Sequence, residues 1–146
     1  MKVLVSACLL GHNCKYSGGN NYDPTLNELL KGHEIIPVCP EVMGGLSVPR
    51  IPCEIIGDKV IGKDGNDYTY PYQLGAKKAL EIAKKEKITL AILKKRSPSC
   101  GASLVYDGTF TKRLVIKRWY LCKRVKEIKC FDFGSVIKKC YLVLFY

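Results

Sequence analysis

The sequence predicts an α/β domain, a single-domain, Rossmann-like, mostly parallel sheet flanked by helices, and three observations lead there. First, three apolar runs of strand length, "KVLVSACLL" (2–10), "EIIPV" (34–38) and "ITLAIL" (88–93), are dense in Val, Ile and Leu, as strands buried on both faces are. Second, helical patterns fall between these runs, giving the order strand, helix, strand, long excursion, helix, strand of a parallel sheet. Third, 146 residues suffice for one core and not for two.

Each element has a local reason. The first run ends at Gly11. "DPTLNELLKG" then offers Asp23 as cap, Pro24 at the first helical position, apolar residues at 26, 29 and 30, and Gly32 as terminator. "HEIIPVCPE" supplies a second strand interrupted by Pro37 and Pro40. The stretch 43–68 is rich in Gly and Pro and predicts an irregular loop with a hairpin around Asp64-Gly65. "YQLGAKKALEIAKKEK" (72–87) places apolar residues at 72, 74, 76, 79, 80 and 83 with lysines between them, an amphipathic helix.

Composition excludes several classes. With 47% apolar and 25% charged residues the chain is neither disordered nor membrane-spanning, since no stretch approaches the roughly 20 apolar residues a span needs. "VSAC" ending at Cys8 mimics a lipoprotein cleavage box. Only seven residues precede that cysteine, too few for a signal peptide, so the expected location is cytoplasmic. In that compartment eight cysteines point to metal or reactive thiols rather than disulfides.

The formal charge of +11 is concentrated at one end. Residues 112–146 hold ten Lys/Arg against Glu127 and Asp132, a net of +8, and the 14 basic and 11 acidic residues before them leave only +3.

Cys8, Cys39 and Cys100 each fall at or just past the end of a predicted strand: after "KVLVSA", after "EIIPV", and in the "SPSCG" turn beyond "ITLAIL". If the strands are parallel neighbours, the three thiols meet at one sheet edge, where ligands of such sheets bind. Turn formers flank each of them: Gly11, Pro37 and Pro40, Pro98 and Gly101. Three converging thiolates call for a cation. Zinc sites usually carry paired C-x2-C ligands, which are absent; three dispersed cysteines suit a four-iron cluster with one iron left open to a soft ligand such as sulfur.

"VSACLLGHNCKYSGGNN", "PVCPEVMGGLSVPRIPCEI", "GAKKALEIA" and "AILKKRSPSCGASLVYDGTF" together resemble the bacterial and archaeal family to which thiouracil desulfidase belongs, from Met1 to about Thr111. The resemblance implies an α/β fold and a [4Fe-4S] cluster held by Cys8, Cys39 and Cys100. It implies a non-redox desulfidase that converts 2-thiouracil, or a related thiolated pyrimidine, to uracil and sulfide. Glu41, two residues after Cys39, is then the carboxyl group placed to move protons or activate water. Ser99 beside Cys100, with Ser97 as second choice, orients the ring or the water. The alternatives are a solvated loop carboxylate and turn-forming hydroxyls.

Other features weigh less. Cys8-x3-His12-x-Cys14 is a possible zinc half-site lacking its remaining ligands, His33 reads as a surface residue, Cys53 as a residue lining the site, and "SGGNN" as a weak anion-binding turn. Beyond Thr111 the family's Gly-Asp-Gly-Val-Thr turn is missing. The expectation is therefore a desulfidase-like domain over 1–111 and an atypical basic segment over 112–146, read as frameshifted or degenerate, with "YLVLFY" an aggregation hazard if exposed. The expected partner is a small thiolated pyrimidine; nucleic acid is the rival and not favoured, and oligomeric state is not legible. The alternative function is a basic RNA-associated module with a structural zinc site.

Overall fold

The computed structural model describes residues 1–117 and 128–133. Its centre is a four-stranded sheet of order β2-β1-β5-β8, parallel throughout, built from β1 (Lys2–Ser6), β2 (Glu34–Val38), β5 (Leu90–Lys94) and β8 (Lys129–Phe133). The chain leaves β1 for β2 on one side and later returns to β5 on the other. The strand order therefore reverses between β1 and β5, and a crevice opens at their carboxyl ends.

Alternation along β1 divides the core. Val3 and Val5 pack with Leu26 and Leu30 beside α1 (Pro24–Leu29), whereas Leu4 faces Ala79 and Ala83 of α3 (Thr69–Lys85). α1 begins as its sequence dictates: Asp23 accepts the Thr25 N–H at 2.9 Å and Pro24 opens the first turn. α3 starts three residues earlier than the apolar pattern predicts, because Asp67 accepts the Thr69 N–H at 2.8 Å and stops the preceding loop there.

The first apolar run is not all strand. β1 stops at Ser6, and Ala7–Leu10 wind into a 3-10 turn closed by Gly11 at φ 96°. Pro37 is tolerated inside β2 because β2 lies at the sheet edge. The excursion holds α2 (Pro40–Met43) and a hairpin of β3 (Cys53–Ile56) with β4 (Lys59–Gly62). Its turn is Gly57-Asp58, not Asp64-Gly65; Gly57, at φ 60°, supplies the tight reversal. Asp64-Gly65 forms a separate turn after β4, with the Asp64 carboxylate accepting from Asn66 and Tyr68.

Residues 112–117 include β7 (Leu114–Ile116), antiparallel to β6 (Leu104–Tyr106), and β8 extends the main sheet beside β5. The expectation for "YLVLFY" lies outside the described residues. Among the described residues no helix is long and apolar enough to cross a membrane.

Candidate active site

At the carboxyl edge of β1, β2 and β5 lies a cavity of about 450 Å³. Cys8, Cys39, Cys100, Glu41, Ser97 and Ser99, the residues singled out from sequence, all line it. The register explains the convergence: Ser6 pairs with Val38, so the 3-10 turn carrying Cys8 and the α2 start carrying Cys39 leave the sheet at one level.

Cys39 is the N-cap of α2 and Pro40 its first residue, which turns the chain sharply and brings Glu41 back toward the sheet. Glu41 is only 8% exposed, which removes the solvated-loop alternative. Its Oε2 accepts from Arg50, the Nε at 2.7 Å and Nη2 alongside. Its Oε1 accepts the Ser99 hydroxyl at 2.8 Å and lies 3.2 Å from the Ser97 hydroxyl. The two serine oxygens are 2.9 Å apart, so Ser97 can send its single hydrogen to Ser99 or to Glu41. The result is a short proton chain ending on a carboxylate whose other oxygen is held by a guanidinium.

Ser97 also does the turn-forming work its sequence context suggests. Its oxygen accepts the N–H groups of Ser99 and Cys100, each at 3.2 Å. Gly101 follows because a Cβ there would crowd Val105 and the Ser97 carbonyl. α2 is pressed onto α3 by a glycine pair: a Cβ on Gly75 would collide with the Pro40 carbonyl and one on Gly44 with the Pro71 carbonyl. That backbone-to-backbone approach fixes the height of Cys39 and Glu41 over the cavity.

The thiols differ in environment. Cys14 hydrogen-bonds with its thiol to those of Cys8 and Cys39, and both partners are brought down to about 7 against the upward push of burial. Asn21 and Lys94 add to the effect at Cys8, and the Val42 N–H adds to it at Cys39. The same contacts raise Cys14. Thiols whose acidity is raised in this way give up their protons to a metal more readily. Burial pushes Cys100 up to about 12, against hydrogen bonds from Ser6 and Ser99, so its ionisation needs a cation close by. No cysteine among the described residues is in a disulfide.

Three participants were not given roles from sequence. Arg50 carried a legible signal, a single cation in the proline-bounded apolar stretch "VPRIPC" nine residues after an acid. Cys14 figured only in a zinc half-site with His12, yet the structure points Cys14 inward and leaves His12 exposed. Asn21 belongs to "SGGNN", which serves as a fold-back onto the 3-10 turn: the Asn21 N–H donates to the Cys8 carbonyl at 2.8 Å and its side chain hydrogen-bonds the Cys8 thiol. Cys53 lines the cavity as expected, with burial raising its thiol to about 11. His33 stays at the periphery near the N-terminus.

Comparison with known proteins agrees with this architecture. The uncharacterized protein YbbK of Bacillus subtilis (strain 168) is 37% identical over 123 residues, covering 77% of this chain and 82% of that protein. The solved structure of the [4Fe-4S]-dependent thiouracil desulfidase TudS superposes with a TM-score of 0.82 at 35% identity, covering 90% of this chain and 89% of that one. The profile of the 2-thiouracil desulfurase family matches residues 3–129, beyond the Thr111 at which the resemblance in sequence fades and up to the start of β8. The chain belongs to the 2-thiouracil desulfurase family.

Proposed function

We propose that this chain is a [4Fe-4S]-dependent desulfidase that replaces the exocyclic sulfur of 2-thiouracil, or a related thiolated pyrimidine, with the oxygen of water, giving uracil and sulfide. The observation that carries the reading is the meeting of several thiols with the Arg50–Glu41–Ser99–Ser97 chain in one cavity. The donor set fits the group: a cluster binds each thiolate to a different iron, so it asks for thiols spread around a cavity. We assign Cys8, Cys39 and Cys100 to hold it. When bound, the cluster supplies a Lewis-acidic iron for the soft thiocarbonyl sulfur.

The remaining work falls to the protein. Ser99 and Ser97 hold the attacking water, and Glu41 takes its proton through the hydroxyl chain as the ring carbon gains oxygen. Arg50 keeps the carboxylate aimed between transfers. The C–S bond breaks heterolytically, both water protons end on the sulfide, and no electrons change hands. A reducing, cytoplasmic setting suits thiols that must stay free.

A zinc-holding RNA module is less well supported, because the matching family is that of 2-thiouracil desulfurase and the similar solved structure is a [4Fe-4S]-dependent thiouracil desulfidase. Anaerobic purification and reconstitution separates the two. Brown protein with iron and acid-labile sulfide is expected; colourless protein retaining zinc would favour the module.

A further inference from the structure

We propose that Phe110 is the platform that holds the flat face of the substrate's pyrimidine ring, and that Glu54 is the positioning residue that presents it to the cavity. The inference rests on the function proposed above. Both residues line the cavity, and neither belongs to the Arg50–Glu41–Ser99–Ser97 chain. The need for a platform is chemical. A thiocarbonyl sulfur tethers a planar ring at a single point, whereas attack on the adjoining ring carbon requires the plane of the ring to be fixed as well. An aromatic side chain fixes that plane and leaves the polar edge of the ring free.

Phe110 lies in the loop that joins β6 to β7, and this loop is bent onto β3. The Oε2 of Glu54, a buried residue of β3, accepts the N–H groups of both Gly108 and Phe110 at 2.9 Å. A Cβ on Gly108 would stand 2.6 Å from Ile56 Cγ1 and 2.9 Å from the Ile55 carbonyl oxygen, so the loop meets the strand through bare backbone. The base of the loop is closed by the Asp107 N–H, which donates to the Arg113 carbonyl at 3.0 Å. Inside it, Asp107 Oδ1 accepts the N–H and the hydroxyl of Thr109 at 2.9 and 2.6 Å.

Backbone conformation singles Phe110 out. Among the described residues four non-glycine residues have positive φ: Lys87, Arg96, Phe110 and Lys112. Lys87 follows the end of α3, where a left-handed residue is the ordinary way to stop a helix. The other three all line the cavity. A bulky aromatic residue at φ 58° is held against its own preference, and the Glu54 carboxylate holds it through its own N–H. The Phe110 ring is half-buried and carries no polar atom, which suits it to a ring face rather than to the core or to solvent.

Steady-state kinetics with 2-thiouracil on cluster-loaded protein, paired with equilibrium dialysis of radiolabelled uracil, tests both assignments. Uracil has the ring without the sulfur, so its affinity reports the ring contact by itself. A platform that holds substrate and transition state alike sets KM and leaves kcat unchanged. Phe110→Ala should load iron as wild type does, and should raise KM and weaken uracil binding by about tenfold, within the range of base–aromatic stacking. Phe110→Tyr keeps the ring and should bind as wild type. Glu54→Leu should copy Phe110→Ala, whereas Glu54→Gln, whose amide oxygen can still accept both N–H groups, should match wild type. Loaded Phe110→Ala with wild-type KM and uracil affinity would overturn the platform and leave the proposed function standing. Glu54→Gln as impaired as Glu54→Leu would overturn the positioning role. Loaded wild-type protein that releases no sulfide from 2-thiouracil would overturn the proposed function and the inference with it.

Discussion

Glu41 and Arg50 form a pair with side chains 10% and 6% exposed, so each needs the other. Breaking such a pair leaves a buried charge, and Arg50→Met is expected to cost about 3–5 kcal/mol of stability. Denaturant melts check this, and the double variant Arg50→Met/Glu41→Gln should recover much of the loss. Glu41→Gln alone keeps the shape and removes the proton acceptor. It should retain the cluster and lose turnover on the order of 100-fold or more; near-normal sulfide release would remove Glu41 from the chemistry. Cys8→Ala, Cys39→Ala and Cys100→Ala should each lose iron and labile sulfide, and full occupancy in Cys100→Ala would withdraw it from the ligand set. At this scale the residues that line the cavity were legible, because a cysteine or glutamate beside turn formers at a strand end has few structural uses. Their pairings were not, although Arg50 itself stood out: the bond from Arg50 to Glu41 runs from the loop back to α2, nine residues earlier, and the contact of Cys14 with Cys39 spans a helix and a strand. No periodicity marks such meetings.

The short helix α2 owes its position to α3. Gly75 and Gly44 let the two backbones touch, and Gly75→Ala drives a methyl into the Pro40 carbonyl. Overpacking of this kind costs about 1–3 kcal/mol. Because α2 begins at Cys39 and carries Glu41, the variant should also lower iron incorporation under limiting reconstitution. A protein that melts lower and loads iron normally would show that α2 tolerates the shift. The strands and longer helices were legible through their apolar patterns and caps, and Asp23-Pro24 marked the α1 start directly. Where the pattern misplaced boundaries, local hydrogen bonding had intervened: Asp67 drew α3 forward, and Gly57 rather than Gly65 supplied the hairpin turn. A composition of Gly and Pro says that a chain turns, and only pairing says where.

The whole molecule places its chemistry at the reversal in strand order, with three β-strands delivering groups to one crevice. That edge was readable once three apolar runs were taken as parallel neighbours. The contribution of β7 and β8 was not, since the charge of 112–146 conceals short strands whose register is set by β6 and β5. The basic excess of that segment also bears on partners. If RNA were bound there, affinity would fall steeply with salt as counterions are released. We expect weak binding at physiological salt, and tight binding lost at higher salt would point to a nucleic-acid substrate. The most direct test of the account is anaerobic incubation of the reconstituted protein with 2-thiouracil, without added oxidant or reductant, counting uracil and sulfide against bound clusters. Equal amounts of the two products, over many turnovers and only from cluster-loaded protein, are expected; loaded protein that releases neither, or cluster-free protein that works as well, would contradict it.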